Sequence, residues 1–401
     1  MLFQMTARRR FLAQATAAAV AAPFIVTSLT RARATEPHKK LGFALCGLGS
    51  LSTHQIAPAF QKTQHCRLAG IVTGTPAKAA EWKSRYGIPD RSVYTYETMH
   101  KMADNPDIDV VYVVTPNSLH LDHTVAAAKA GKHVFCEKPM EISAERCQKM
   151  IDAVKAANRM LGIAYRCQFE PHHLECMRLA RSREFGALKV IDAYFGFNID
   201  PTAWRLKRAL AGGGPLMDVG IYALQATRYL TGEEPVWIAA TTTKGDSARF
   251  AEVEESVLWQ ARFPGGAVSH CGASYGAASA GYFRAIAEHG WFGLDPAFNY
   301  GGIQGMRSDG KPLDFPQTDH FATEMDDFAQ CILEQKPSKV SGEEGLRDVR
   351  IMMAIYESAR TGKPVDLSRV APVGASRDSL RSASVEGLSA QSGVMTTFPR
   401  A

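Results

Sequence analysis

Eight cysteines are present, at positions 46, 66, 136, 147, 167, 176, 271 and 331, yet no two of them form a Cys-x-x-Cys pair. That excludes the common zinc-ribbon and dithiol redox patterns. Several sit in apolar runs, where free, buried thiols are expected. The nearest approach to a metal cluster, His172-His173-x-x-Cys176, has no convincing fourth ligand and reads as helix surface plus a core cysteine, so no metal is expected. Past residue 34 no apolar run is long enough to span a bilayer. Internal repeats are absent too. Charge of one sign is also scarce. The formal net charge of +6 includes five arginines and no acid within residues 1–34, so the rest of the chain carries only +1. Such a body lacks the electrostatic footprint of a nucleic-acid binder or a stable membrane-surface binder, and neither partner is expected.

The excess of arginine at the start has its own meaning. Arg8-Arg9-Arg10-Phe11-Leu12 fits a twin-arginine pattern, an Ala-rich, weakly apolar stretch runs from Ala13 to Leu29, and Ala32-Arg33-Ala34 supplies a small-x-small cleavage site. Residues 1–34 are expected to be a twin-arginine signal peptide, giving a periplasmic protein exported folded. The other 367 residues of the 401, at ordinary composition (46% hydrophobic, 21% charged over the whole chain), are enough for two domains.

From Leu41 to about Met160 short apolar strands alternate with helical patterns: Leu41–Cys46, Arg67–Val72, Val110–Val114 and His133–Cys136 are the strands. A helix over about Asp122–Ala130 should stop at Gly131, and Ser143 should cap a second. This alternation predicts a doubly wound parallel sheet, a Rossmann domain over 35–160. After Leu161 the period becomes two. Val253–Phe263, a Pro264-Gly265-Gly266 turn and Ala267–His270 read as a hairpin. The fold class is therefore α/β, with a C-terminal α+β domain over 161–367 built on an open, mostly antiparallel sheet. Helical stretches recur at Thr323–Glu334 and Glu343–Thr361, and 368–401 read as a disordered tail.

Chemistry-bearing residues gather at the strand ends. Gly47-Leu48-Gly49-Ser50-Leu51-Ser52 follows the first strand, as a dinucleotide loop does, although Ser52 stands at the third glycine position and Pro58 interrupts the helix beyond. The second strand ends without the carboxylate that would bind an adenosine ribose 2′-hydroxyl. Thr73 and Lys78 stand there instead and suit a 2′-phosphate, so NADP is the expected cofactor. Pro116, Asn117 and His120 follow the third strand. Asn117 is suited to ribose or amide, and His120 is a capping or packing residue with catalysis as the lesser alternative; His123, one turn on, is expected at the surface. The fourth strand delivers Glu137 and Lys138 to the edge where open α/β sheets bind ligands. In the second domain Gly212-Gly213-Gly214 enters a helix with Asp218 and Tyr222 four apart on one face. A tyrosine beside a lysine ammonium is expected to have a lowered pKa, which would let it exchange a proton with a substrate hydroxyl.

In combination, Ala44–Gly49, Pro116–His120, Glu137-Lys138-Pro139, Tyr165-Arg166-Cys167, Trp204-Arg205-Leu206, Ala211–Gly214, Asp295-Pro296-Ala297 and Gly342–Gly345 resemble, in this order, the glucose–fructose oxidoreductase and inositol dehydrogenase family. The resemblance covers about Leu41 to Leu367. It implies that Lys138, Asp218 and Tyr222 are catalytic; many relatives carry histidine where this chain has Tyr222. It also implies a cofactor site of Gly47, Leu48, Gly49, Ser50, Thr73, Lys78, Tyr96, Pro116, Asn117, His120, Glu137, Lys138, Arg166, Trp204, Arg205 and Tyr300. Ser50 replaces a lysine usual in that loop, Thr73 stands for a serine, and only Thr35–Lys40 would precede the first strand where the family's glucose–fructose branch has a long proline-rich arm. The implied activity is NADP-dependent sugar oxidation at C1 to a lactone, a second sugar being reduced by the same bound cofactor, in a homo-oligomer formed through the C-terminal sheet. A sugar dehydrogenase with exchangeable cofactor and a non-catalytic sugar- or nucleotide-binding protein are the alternatives.

Overall fold

The computed structural model describes residues 40–245 and 248–368. The expected signal peptide and nearly all of the expected tail lie outside these residues. The first sheet is wholly parallel. Its strands are β1 (Leu41–Cys46), β2 (Cys66–Val72), β3 (Val93–Tyr94), β4 (Val110–Val113), β5 (His133–Glu137) and β6 (Leu161–Ala164), in the order β3-β2-β1-β4-β5-β6. β1, β4 and β5 are covered on both faces, which is why they are nearly unbroken apolar runs without alternation. Phe135 of β5 illustrates the packing, with Tyr112 at 4.8 Å and Phe328 at 4.9 Å between ring centroids. β6 pairs with β5, so the first sheet continues past the boundary expected at residue 160. A four-residue strand two residues beyond an Ala157-Asn158 turn is too short for its period to show.

The crossovers end as local chemistry dictates. Ser143 caps the helix Ala144–Ala156 by accepting from Arg146 N, and the helix His120–Lys129 closes with Gly131 at φ 73°. The helix after the glycine loop does not stop at Pro58. It runs to Ala59 through a π-helical turn over Ser52–Ile56, placed just before the residue that has no N–H to donate.

The second sheet has eight strands: β7 (Leu188–Gly196), β8 (Trp237–Thr243), β9 (Ser256–Arg262), β10 (Val268–Ser274), β11 (Ala280–Ala287), β12 (Gly290–Leu294), β13 (Gly305–Arg307) and β14 (Val365–Asp366). Their order is β13-β12-β11-β7-β10-β9-β8-β14, antiparallel except for the β7–β10 pair. The β9–β10 hairpin turns at Gly266, φ 89°. One face is packed beneath the helix Ile221–Thr231, all of whose residues up to Leu230 are buried. Strands β9 and β11 alternate buried and open positions, as a sheet with one covered face requires.

Candidate active site

A cleft of about 830 Å³ opens along the carboxyl edge of the parallel sheet and is closed on its other side by the second domain. Every residue expected in the site lines it except His120. Gly47, Leu48, Gly49, Ser50, Thr73, Lys78, Tyr96, Pro116, Asn117, Glu137, Lys138 and Arg166 come from the first sheet and the segments that follow its strands. Trp204, Arg205, Asp218, Tyr222 and Tyr300 come from the second domain.

The glycine loop has the shape a dinucleotide needs. At Gly47 (φ 99°) a Cβ would strike Val114 O at 2.8 Å, whereas at Gly49 nothing lies within 4 Å, so a phosphate has free approach to the backbone there. Ser52 accounts for its own departure from the glycine pattern: buried, it donates to Gly47 O at 2.6 Å and pins the turn. Lys78 donates to Leu48 O at 3.1 Å, holding a cation over the loop, and Thr73 is buried beside it at the end of β2. Tyr96 stacks on His123 at 4.7 Å.

His120 is the packing residue expected but does not line the cleft with the cofactor residues, and the surface readings of His123 and of His172 and His173 are corrected. His120 is fully buried and faces carbonyls on both ring nitrogens, Thr115 O at 2.8 Å and Pro139 O and Met140 O at 3.1 Å. It ties the loop after β4 to the turn after Lys138 and belongs to neither the catalytic nor the cofactor set. His123 is buried too, its Nδ1 3.0 Å from Thr115 Oγ1. His172 and His173 are not helix surface. Both donate from Nδ1 to Glu170, at 2.7 and 2.8 Å. Asn117 lines the cleft, but its Nδ2 donates to Ala211 O at 2.9 Å and joins the two domains rather than facing only a ligand.

At the centre of the cleft Lys138 Nζ lies 2.8 Å from Asp218 O, 3.5 Å from Asp218 Oδ1 and 4.7 Å from the Tyr222 ring centroid. Asp218 sits in a π-helical turn, Leu216–Gly220, not in the plain helix its spacing to Tyr222 suggested. The preceding glycine loop is held closely: at Gly213 a Cβ would come within 2.0 Å of Tyr356 Oη, and Gly214 N donates to Glu254 at 3.0 Å. Asp218 Oδ2 accepts from Tyr275 Oη at 2.9 Å and pairs with Arg205 Nε at 3.0 Å. Burial alone would raise the Asp218 pKa, but the Arg205 and Lys138 charges and these hydrogen bonds outweigh it and hold the carboxyl below its usual range.

Tyr222 departs from expectation in one respect. Its hydroxyl accepts from Arg166 Nε at 3.1 Å, and Arg166 is itself fixed by donating to Phe298 O at 2.6 Å and Asn299 O at 3.2 Å. The phenol pKa is nevertheless raised, not lowered. Burial dominates, Cys167 and Glu137 add to it, and the opposing Arg166 charge is not enough. Tyr222 therefore holds its proton through neutral pH and is ready as an acid. To act as a base it depends on the cations beside it. Phe195 and Phe298 pack against its ring at 5.6 and 5.7 Å and, with Phe197, make the wall apolar. These aromatics and Tyr275 escaped sequence reasoning, since strand periodicity does not separate a cleft-lining ring from a core ring.

A dinucleotide cradle joined to a lysine, carboxylate and tyrosine defines a nicotinamide-nucleotide oxidoreductase. Comparison with known proteins agrees. Residues 41–165 match the model of the oxidoreductase family with NAD-binding Rossmann fold, 173–293 the GFO/IDH/MocA C-terminal domain, and 307–367 the oxidoreductase-family C-terminal alpha/beta domain. The chain belongs to the GFO/IDH/MocA family of oxidoreductases. It is 31% identical over 335 residues to a D-xylose 1-dehydrogenase [NADP(+)] of Haloarcula marismortui, covering 81% of this chain and 92% of that protein. A second, from Haloferax volcanii, is also 31% identical, covering 81% of this chain and 99% of its own. Among solved structures, aldose-aldose oxidoreductase from Caulobacter crescentus superposes with TM-score 0.79 at 44% identity, covering 82% of this chain and all of that one.

Proposed function

We propose that this chain is a periplasmic NADP-dependent sugar oxidoreductase that oxidises an aldose at C1 to its lactone and reduces a second sugar with the same bound cofactor. The observation that carries the reading is the meeting of Lys138, Asp218, Tyr222 and Arg166 in one cleft with the glycine loop. The likeness to an aldose-aldose oxidoreductase supports the substrate class, and Thr73 and Lys78 in place of a carboxylate support NADP. The bound nicotinamide supplies the hydride acceptor and, in the second half, the donor. Tyr222 Oη takes the proton of the sugar hydroxyl and later returns one to the reduced sugar's oxygen. Lys138 and Arg166 stabilise the phenolate that takes the first proton and that forms again when Tyr222 returns one. Asp218 Oδ1 accepts from a sugar hydroxyl, and the Phe195, Phe197 and Phe298 wall keeps water from the reacting carbon.

Purification without added cofactor, followed by mass spectrometry of released nucleotide and absorbance before and after glucose, tests this directly. Bound NADP that becomes reduced on adding glucose and is reoxidised by a second sugar is the expected result. Protein that arrives empty and turns over only with NADP in solution would instead make it a dehydrogenase with exchangeable cofactor, the reading that the similarity to the D-xylose 1-dehydrogenases favours. Predominantly NAD would refute the phosphate reading at Thr73 and Lys78.

Lys78→Ala is expected to weaken NADP binding by about ten-fold or more while changing NAD binding little, because the lost contact is charge-assisted. Titration of the stripped enzyme with both nucleotides checks it; equal losses would mean that Lys78 serves the glycine loop through Leu48 O alone.

The export and assembly parts of this reading rest on separate features. Arg8-Arg9 and Ala32-Arg33-Ala34 support twin-arginine export, and fractionation of cells with and without that pathway should find the protein in the periplasm only when the pathway is intact. On the open face of the second sheet, Val268, Val190 and Ile286 stand side by side across three paired strands, exposed at 40, 36 and 41%. A second copy of this chain is the partner proposed for that apolar row. Sedimentation should give a species larger than one chain, and a monomer at all concentrations would count against it.

A further inference from the structure

The two oxygens of Asp218 are used unequally. Oδ2 takes both close donors, Tyr275 Oη at 2.9 Å and Arg205 Nε at 3.0 Å, while among the described residues Oδ1 has only Lys138 Nζ at 3.5 Å. A carboxylate held at one oxygen by two donors of fixed direction has its plane set, and its other oxygen is left to the cleft. Tyr275 is itself fixed. It follows β10, its N–H donates to Glu255 O at 2.9 Å, its carbonyl accepts from Ile199 N at 3.0 Å, and its ring packs on Phe197 at 5.5 Å. It is fully buried and does not line the cleft, so it has no path to a ligand except through Asp218.

We propose that Tyr275 is the positioning residue of the site: its hydroxyl, together with Arg205, holds Asp218 by Oδ2 and turns Oδ1 toward Lys138 and the sugar hydroxyl. The inference rests on the reading that Asp218 meets the sugar. Arg205 cannot do the same work alone, because it is more than a third exposed, its guanidinium also lies 4.7 Å from the Trp204 ring, and it borders the cleft. A charge there can shift with the ligand; the Tyr275 hydroxyl cannot. Around this pair stand the Arg205 and Lys138 cations facing Asp218, Glu254 on the far side of Tyr275 with the Tyr356 hydroxyl on it at 2.7 Å, and Tyr300 near Arg205. The hydrogen bond from Tyr275 favours the ionised form of Asp218, so its loss raises the carboxyl pKa, and activity that needs the carboxylate is lost at a higher pH on the acid side.

The test is Tyr275→Phe in the full chain, read by single-turnover reduction of bound NADP with glucose across pH. The second-order rate constant should fall about ten-fold on the acid side, and the acid limb should move up by about one pH unit. Nucleotide binding and melting temperature should stay near wild type. Placing 3-fluorotyrosine at 275, a stronger donor of nearly the same shape, should move the limb the other way and keeps the question open to measurement if the phenylalanine variant folds poorly. An unmoved limb in both variants overturns the proposal. So does a pH-independent fall accompanied by weaker nucleotide binding, which is what a packing role would give. Asp218→Asn is run beside them. If it keeps wild-type rates, the reading of Asp218 itself fails and Tyr275 has nothing to position. If it is impaired, Tyr275→Phe added to it should cost nothing further, and an additional ten-fold loss overturns the inference while leaving Asp218 in place.

Discussion

Tyr222→Phe is expected to lower single-turnover reduction of bound NADP by an aldose by roughly two to four decades, the usual contribution of a positioned acid or base. The ring stays, so its packing on Phe195 and Phe298 and the contact of Arg166 over its face, 4.8 Å from the centroid, are retained. Folding and nucleotide binding should therefore survive. One buried acceptor is lost, and Arg166 Nε is left without it while its other nitrogens keep Phe298 O and Asn299 O. Some destabilisation, about 1–3 kcal/mol for an unsatisfied buried donor, is expected alongside the kinetic effect and separates from it in a melting curve. Because burial holds the wild-type phenol protonated through neutral pH, the oxidative half should speed up as pH rises toward the alkaline side. That alkaline rise should vanish in the phenylalanine variant. Wild-type transfer in Tyr222→Phe would remove tyrosine from the mechanism. His120 does not replace it, since both of its ring nitrogens are engaged by backbone carbonyls away from the cleft.

Much of this site is legible in the sequence because strand ends announce themselves. Gly47 and Gly49 follow an apolar run with no other use for two glycines. Pro139 ends β5 just after Lys138, and Pro116 follows β4 at the same edge. Capping and turn residues were equally plain, since Ser143, Gly131 and Gly266 act on their neighbours alone. What stayed hidden depends on contacts between distant segments. Whether His120, His123, His172 and His173 are surface or core is decided by what packs over them, and here that is carbonyls, a threonine and Glu170. The direction of the Tyr222 shift runs against the sequence expectation for a related reason. Spacing could bring a lysine near, but it could not weigh the cation against a phenol enclosed by Phe195, Phe298 and Cys167. Tyr275 gave no signal because its role exists only once β10 ends beside the Asp218 turn.

Lys138→Ala is expected to reduce turnover at least as far as Tyr222→Phe, roughly two to four decades or more, because the lysine serves two groups. Its ammonium lies over the Tyr222 ring at 4.7 Å, where it favours the phenolate, and it neighbours Asp218 Oδ1 at 3.5 Å, the oxygen proposed to meet a sugar hydroxyl. It also accounts for the shape of the turn, since Nζ donates to Asp218 O at 2.8 Å. Truncation should therefore loosen Asp218 as well as remove charge, and Lys138→Arg is not a conservative rescue: a planar fork cannot reach a carbonyl and a carboxylate oxygen from the point an ammonium occupies. Asp218 gives the sign of the pH effect. With the Lys138 cation gone, one of the charges holding its pKa down is lost, so the folded-state pKa rises and the carboxylate begins to protonate at higher pH. If lysine and tyrosine act as one unit, Lys138→Ala with Tyr222→Phe should be little slower than the worse single variant. Single-turnover rates in the three proteins decide it. Strict additivity would mean that each works on the sugar alone, and that the phenolate owes its stability to Arg166 rather than to Lys138.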